Sequence, residues 1–273
     1  MKIAIQETLL PGDRVDQRVR RAAELGVDGI EFQAAGMGAR ILDVAAALDQ
    51  HGMVVSALNV GGTHLLHPEF DYRNRAIAAI GQAMTDSLDL GSGNVVFQPY
   101  RADTPPLPDL RPYKHTLQMY GEFLATQLRS TLCDLAYAVG ATLHLAPVNR
   151  YENDLLNTLE QADTILRKNE DHEHLKIAAN TFHMTLEEAD PYEALQTYAP
   201  KLGTVHLADH NGGLPGEGWI DFKRVISALK TGGYTGEWVT ICTRHSEPTE
   251  QQQRAYLRGL PACIDMLRAA LSH

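Results

Sequence analysis

The chain has 273 residues, 44% of them hydrophobic and 21% charged, with a formal net charge of -10. That length suits one large α/β domain, and the acidic balance argues against nucleic acid or an anionic membrane as the main partner. Three cysteines (Cys133, Cys242 and Cys263) are too few and too odd in number for a disulfide framework, which points to a reducing, cytoplasmic setting.

The opening, MKIAIQETLL, reads as a strand from Lys2 to Gln6 rather than a secretion signal. A helical pattern from Arg14 to Leu25 follows and stops at Gly26. The next strand runs from Gly29 to Gln33, and the next helix from Ala39 to Gln50, near Gly52. A strand from Val54 to Val60 leads to a long helix from Asp71 to Leu90, closed by Gly91. The strand from Asn94 to Gln98 is followed by a Pro-rich stretch, Asp103 to Pro112, read as a loop over the sheet end. The longest helical pattern then covers Arg111 to Val139 and stops at Gly140. Glycine just past a helix favours such stops because it adopts the left-handed conformation without strain.

The second half repeats the alternation. Strands are expected at Thr142 to Pro147, Lys176 to Asn180, Thr204 to Ala208 and Trp238 to Cys242. Helices are expected at Leu155 to Arg167, Thr185 to Tyr198, Phe222 to Leu229 and Glu250 to Leu271. No run approaches the ~18 apolar residues of a membrane span. Short, nearly continuous apolar runs suit strands buried on both faces of a parallel sheet. Eight strand–helix units predict a single (β/α)8 TIM barrel over residues 1–273, and no G-x-G-x-x-G follows the first strand to favour a dinucleotide fold.

In such a barrel the chemistry sits at the C-terminal ends of the strands. Those ends carry Gln6, Gln33, Asn59 with His64, Gln98 with Tyr100 and Arg101, His144 with Ala146, Asn180 with His183, His206 with His210, and Cys242 with Arg244 and His245. Cys133 and Cys263 fall inside helical patterns and are expected to be packing residues.

Four segments, LHLAPVNRYENDLLNT, KIAANTFHMTLEEAD, TVHLADHNGGLPGEGWIDF and GGYTGEWVTIC, occur in order, after an opening AAELGVDGIEF. Together they resemble the xylose isomerase-like sugar isomerases and epimerases, a group that includes ketose 3-epimerases and hydroxypyruvate isomerases. The resemblance implies a divalent metal held by Glu, Asp, His and Glu on strands five to eight, with the two Glu residues moving the proton. On this chain those positions fall on Ala146, Asn180, His206 and Cys242. Glu152 and His183 match positions that contact the sugar's hydroxyl end, with Asn180, Gln98 and Arg150 as further substrate contacts. A family Arg falls on Gly212.

Hard ions need several oxygen ligands with compensating charge, so Ala, Asn and Cys at three positions predict a dismantled metal site and no metal cofactor of the family kind. A soft zinc-type set from Cys242, His206 and either His144 or His183 remains open. Cys242 and His206, on adjacent strands, suggest a thiol–imidazole dyad for ester-type acyl hydrolysis, with His144 as an alternative base. An inert Cys242, residual ketose isomerisation or epimerisation, and sugar binding without catalysis are the competing readings. The pattern fits a diverged pseudoenzyme and equally a redesigned scaffold. The expected partner is a small molecule, with no nucleic acid and no membrane, and relatives suggest a homo-oligomer.

Overall fold

The computed structural model describes residues 1–153, 155–244 and 248–272. The eight apolar runs form eight parallel strands: β1 (Lys2–Gln6), β2 (Gly29–Gln33), β3 (Val54–Gly62), β4 (Asn94–Gln98), β5 (Thr142–Leu145), β6 (Leu175–Asn180), β7 (Leu202–Leu207) and β8 (Trp238–Ile241). Each pairs with its sequence neighbour, and β8 returns to β1, so the sheet closes into a barrel with helices between the strands, among them α1 (Val15–Leu25), α2 (Met37–His51), α3 (Phe70–Asp89) and α9 (Phe222–Thr231). This is the expected (β/α)8 architecture.

Alternation along each strand divides the barrel into two cores. Ile3 and Ile5, Ile30 and Phe32, Val95 and Phe97, and Val205 and Leu207 belong to the large apolar cluster shared with the helices. Ala57, Val96, Ala146 and Ala178 form a separate small cluster inside the bore. Small side chains at these inward positions leave space above them.

Two expected helices are broken, each for a local reason. The pattern from Arg111 becomes helical only at Thr116, where the His115 ring accepts a hydrogen bond from the Leu117 amide. That helix (α4, Thr116–Gln127) passes through a π-helical turn, Leu128–Cys133, into α5 (Asp134–Val139). The pattern from Thr185 to Tyr198 is two helices. The first, α7 (Thr181–Glu187), is capped by Asn180, and the second, α8 (Pro191–Tyr198), by Asp190. Pro191 cannot continue the earlier helix but is well suited to the first turn of a new one. The helix expected from Leu155 starts instead at α6 (Leu159–Lys168), where Thr158 and Gln161 form a reciprocal capping box.

The barrel closes along a seam between distant parts of the chain. Val239 lies beside Ile3 across the β1–β8 pair. The helix α10 (Glu250–Ser272) reinforces it: Gln253 donates to the Thr8 carbonyl, and Arg268 donates to the Gly26 carbonyl and the Asp28 carboxylate. Among the described residues no helix is long and apolar enough to cross a membrane.

Candidate active site

The C-terminal mouth of the barrel holds a cavity of about 250 Å³. Amide side chains dominate its polar lining: Gln6, Gln33, Asn59, Gln98 and Asn180. His183, His206, Glu152, Cys242 and Arg244 supply the titratable groups, and Ala146 and Val96 form an apolar floor. The Gln33 and Gln98 side chains make no hydrogen bond to other described residues and remain available to a ligand.

Beneath the cavity lies a residue that the rule of reading strand ends missed. Glu31 is 0% exposed and extends across the bore from β2. One carboxylate oxygen accepts from Gln6 Nε2 and Asn59 Nδ2, both at 2.8 Å. The other meets His206 Nε2 at 2.6 Å. Burial alone pushes the Glu31 carboxyl up, but attraction to His206 and the three hydrogen bonds outweigh it and hold the acid below its ordinary value. The sequence did contain a signal. Glu31 stands two residues before Gln33 and so shares its inward face, and a lone acid in the run GIEF asks for a partner.

The structure does not assemble the Cys242–His206 dyad. In the sheet register His206 lies beside Thr240, which places Cys242 one inward step higher. Its sulfur packs with Phe182 and Ala208 and is approached by Asn180 Nδ2 at 3.9 Å. Burial, with the Glu31 carboxylate nearby, pushes the thiol well above its usual range despite the Asn180 contact, so it stays protonated. Among the described residues His206 is hydrogen-bonded to Glu31, not to sulfur.

His144 and Arg150 do not line the cavity, whereas Cys242 does. His144 sits one inward step below Ala146, buried, with Nδ1 lacking a hydrogen-bond partner among the described residues. Burial pushes its imidazole down to about 4, partly offset by Glu31, so it is a poor base. Its ring fits because residue 203 is glycine; a Cβ there would overlap the imidazole. Arg150 lies at the surface, its guanidinium paired with the buried Glu187. Among the described residues no three His, Cys, Asp or Glu side chains gather as they would around a metal ion, and this includes the zinc-type set.

Glu152 and His183 do come together at the rim, 3.8 Å apart. The Asn149 backbone N–H donates to His183 Nδ1, and its side-chain amide is 2.8 Å from the same nitrogen. Burial and the neighbouring His206 push His183 down to about 4, while burial raises the Glu152 carboxyl.

The loop after β7 is fixed by buried Asp209, which accepts from the backbone amides of His210, Gly216, Gly218 and Ile220. Gly212 in this loop has φ +77, and a Cβ there would collide with the Arg244 side chain. Arg244 therefore passes over Gly212 and lines the cavity. His64 and His210 are held by Thr104 and Asp209, outside the cavity lining. Tyr100 donates to the Thr104 carbonyl and Arg101 pairs with Asp103. His245 lies outside the described residues.

Comparison with known proteins agrees with the barrel fold. Residues 19–263 match the family described as Xylose isomerase-like TIM barrel. The chain is 26% identical over 269 residues to 3-dehydro-D-guloside 4-epimerase of Escherichia coli, covering 96% of this chain and 100% of that protein. It is 27% identical over 236 residues to L-ribulose 3-epimerase of Mesorhizobium japonicum, covering 82% and 73%. Among solved structures, it is similar to 3-keto-D-glucoside 4-epimerase from E. coli in its apo form, with a TM-score of 0.81 at 26% identity, over 96% of this chain and 100% of that one. The fold also matches D-psicose 3-epimerase with D-tagatose from Clostridium cellulolyticum, with a TM-score of 0.83 at 22% identity, over 99% of both chains.

Proposed function

Because the chain belongs to the xylose isomerase-like TIM barrel family, we propose that its mouth binds a keto-sugar or keto-glycoside and moves a proton on the carbon beside the carbonyl. The observation that carries this reading is the lining of the cavity, with five amide side chains around the His206 imidazole. Amides offer donors and acceptors without net charge, which suits a ligand covered in hydroxyl groups. At about 250 Å³ the cavity suits one sugar ring. End-to-end similarity to a guloside 4-epimerase supports the same class of substrate.

The family's metal centre does not fit the residues present. Its positions offer the Ala146 methyl, the Asn180 amide, a protonated Cys242 thiol and an imidazole already bonded to Glu31. A hard divalent ion would find one neutral oxygen and no carboxylate among these four. The chemistry falls instead to this chain's own side chains. His206 takes the proton from the carbon. Asn180 Nδ2, with only a 3.9 Å contact to sulfur, turns to the oxyanion that develops on the carbonyl. Glu152 and His183 hold hydroxyl groups at the rim, and Gln33 and Gln98 read the rest.

Solvent-deuterium exchange tests the reading. The protein is incubated in D2O with a 3-keto-glucoside or a ketohexose, with a chelator present, and followed by NMR. Deuterium should enter at the carbon beside the carbonyl, and the epimer should accumulate. Absence of both, together with no calorimetric binding, would sink the proposal.

A further inference from the structure

The Glu31 carboxylate is oriented from three sides. Gln6 and Asn59 both bond the same oxygen, which leaves the other aimed at His206. Glu31 is on β2 and His206 on β7, so the contact crosses the bore instead of running between neighbouring strands. We infer that Glu31 is the positioning residue that fixes His206 in one tautomer and so makes it the proton acceptor for the substrate carbon.

An ionised carboxylate can only accept a hydrogen bond, so His206 Nε2 must carry the proton in the 2.6 Å contact. A neutral imidazole then has its lone pair on Nδ1. That nitrogen has no hydrogen-bond partner among the described residues, and His206 lines the cavity. The base is therefore oriented before any ligand arrives. When Nδ1 takes a proton from carbon, the resulting imidazolium sits 2.6 Å from a counter-charge already in place. The C–H electron pair passes into the adjacent carbonyl to give an enolate. Protonation of the opposite face from solvent water gives the epimer, and His206 releases its proton to solvent, so no oxidant or reductant is needed.

This inference rests on the keto-sugar reading, but part of its test does not. With 15N-labelled histidine at neutral pH, long-range proton–nitrogen correlation should find His206 protonated on Nε2 in the wild-type protein. Protonation on Nδ1, alone or together with Nε2, would overturn the inference whatever the ligand is. In exchange assays Glu31→Gln should lower kcat by roughly 100-fold with KM little changed. Glu31→Ala should recover part of the loss with added formate but not with formamide, which separates the carboxylate from simple refilling of space. In a His206→Ala background Glu31→Gln should cost nothing further. Should wild type exchange deuterium while Glu31→Gln leaves both kcat and the tautomer unchanged, Glu31 has only a structural role. If wild type neither binds nor exchanges a keto-sugar, the functional reading fails and the tautomer measurement still decides the positioning.

Discussion

Replacing His144 with leucine should remove a defined part of the protein's acid sensitivity. The ring is buried inside the barrel, and burial pushes its imidazole down to about 4, with only partial relief from Glu31. A histidine in the unfolded chain titrates near 6.5. The folded value is thus the lower one, and at mildly acid pH the unfolded chain binds more protons. Stability from this group is complete above pH ~6.5 and drains away as the pH falls toward about 4. At ~1.4 kcal/mol per unit, the full difference is about 3 kcal/mol, of which about 2 kcal/mol falls between pH 7 and pH 5. His183 is also pushed down to about 4, but it is present in both proteins and cancels in the comparison. Leucine also removes an Nδ1 sealed in without a partner among the described residues, a defect of ~1–3 kcal/mol, so the variant should be at least as stable as the parent at pH 7. Urea unfolding followed by circular dichroism at the two pH values measures both quantities. An unchanged pH dependence, or a large loss at pH 7, would show that the ring is neither neutral nor unpartnered.

Cys242 should resist iodoacetamide at about pH 8 in the folded protein, and Cys242→Ala should leave deuterium exchange unchanged; rapid labelling with loss of turnover would restore the thiol–imidazole dyad. Gly212→Ala forces a left-handed backbone onto alanine and displaces Arg244. It should weaken keto-sugar binding by about tenfold, as should Arg244→Ala, with no further loss in the double variant, as calorimetry would read. Ala146→Glu, Asn180→Asp and Cys242→Glu together should create Mn binding. Excess metal at ~100 times Kd should then stabilise the triple variant by about 2.7 kcal/mol in thermal unfolding, an effect the parent lacks. Without metal the variant should be less stable than the parent, because three carboxylates then crowd Glu31.

The barrel was legible because buried parallel strands leave short apolar runs, and glycines mark several helix ends. Helix boundaries were harder where helical periodicity continues across a break. The pattern from Thr185 to Tyr198 does not register that Asp190 and Pro191 start a new helix. At the site, the last residue of each strand picks out Gln6, Gln33, Gln98 and Asn180, all of which line the cavity. It gave no depth, however. His144 and Cys242 both face inward, yet one lies below the cavity and the other above the level of His206, because strand register is set by hydrogen bonding that sequence adjacency does not reveal. Glu31 was passed over because it lies inside its strand, and its partner is 175 residues away on the far side of the bore.

The seam between the first and last strands also has a consequence in time. The α10 hydrogen bonds that secure it join groups 240 to 245 residues apart. During synthesis β1 must wait with an unpaired edge until nearly all of the barrel has left the ribosome. An exposed strand edge invites pairing with other chains. Asp28 is used twice: its carboxylate accepts from the Ile3 amide on the β2-facing side of β1 once β2 exists, and the same group later receives Arg268. One aspartate thus ties β1 to β2 early and to α10 late, while the β8-facing edge of β1 stays open until β8 arrives.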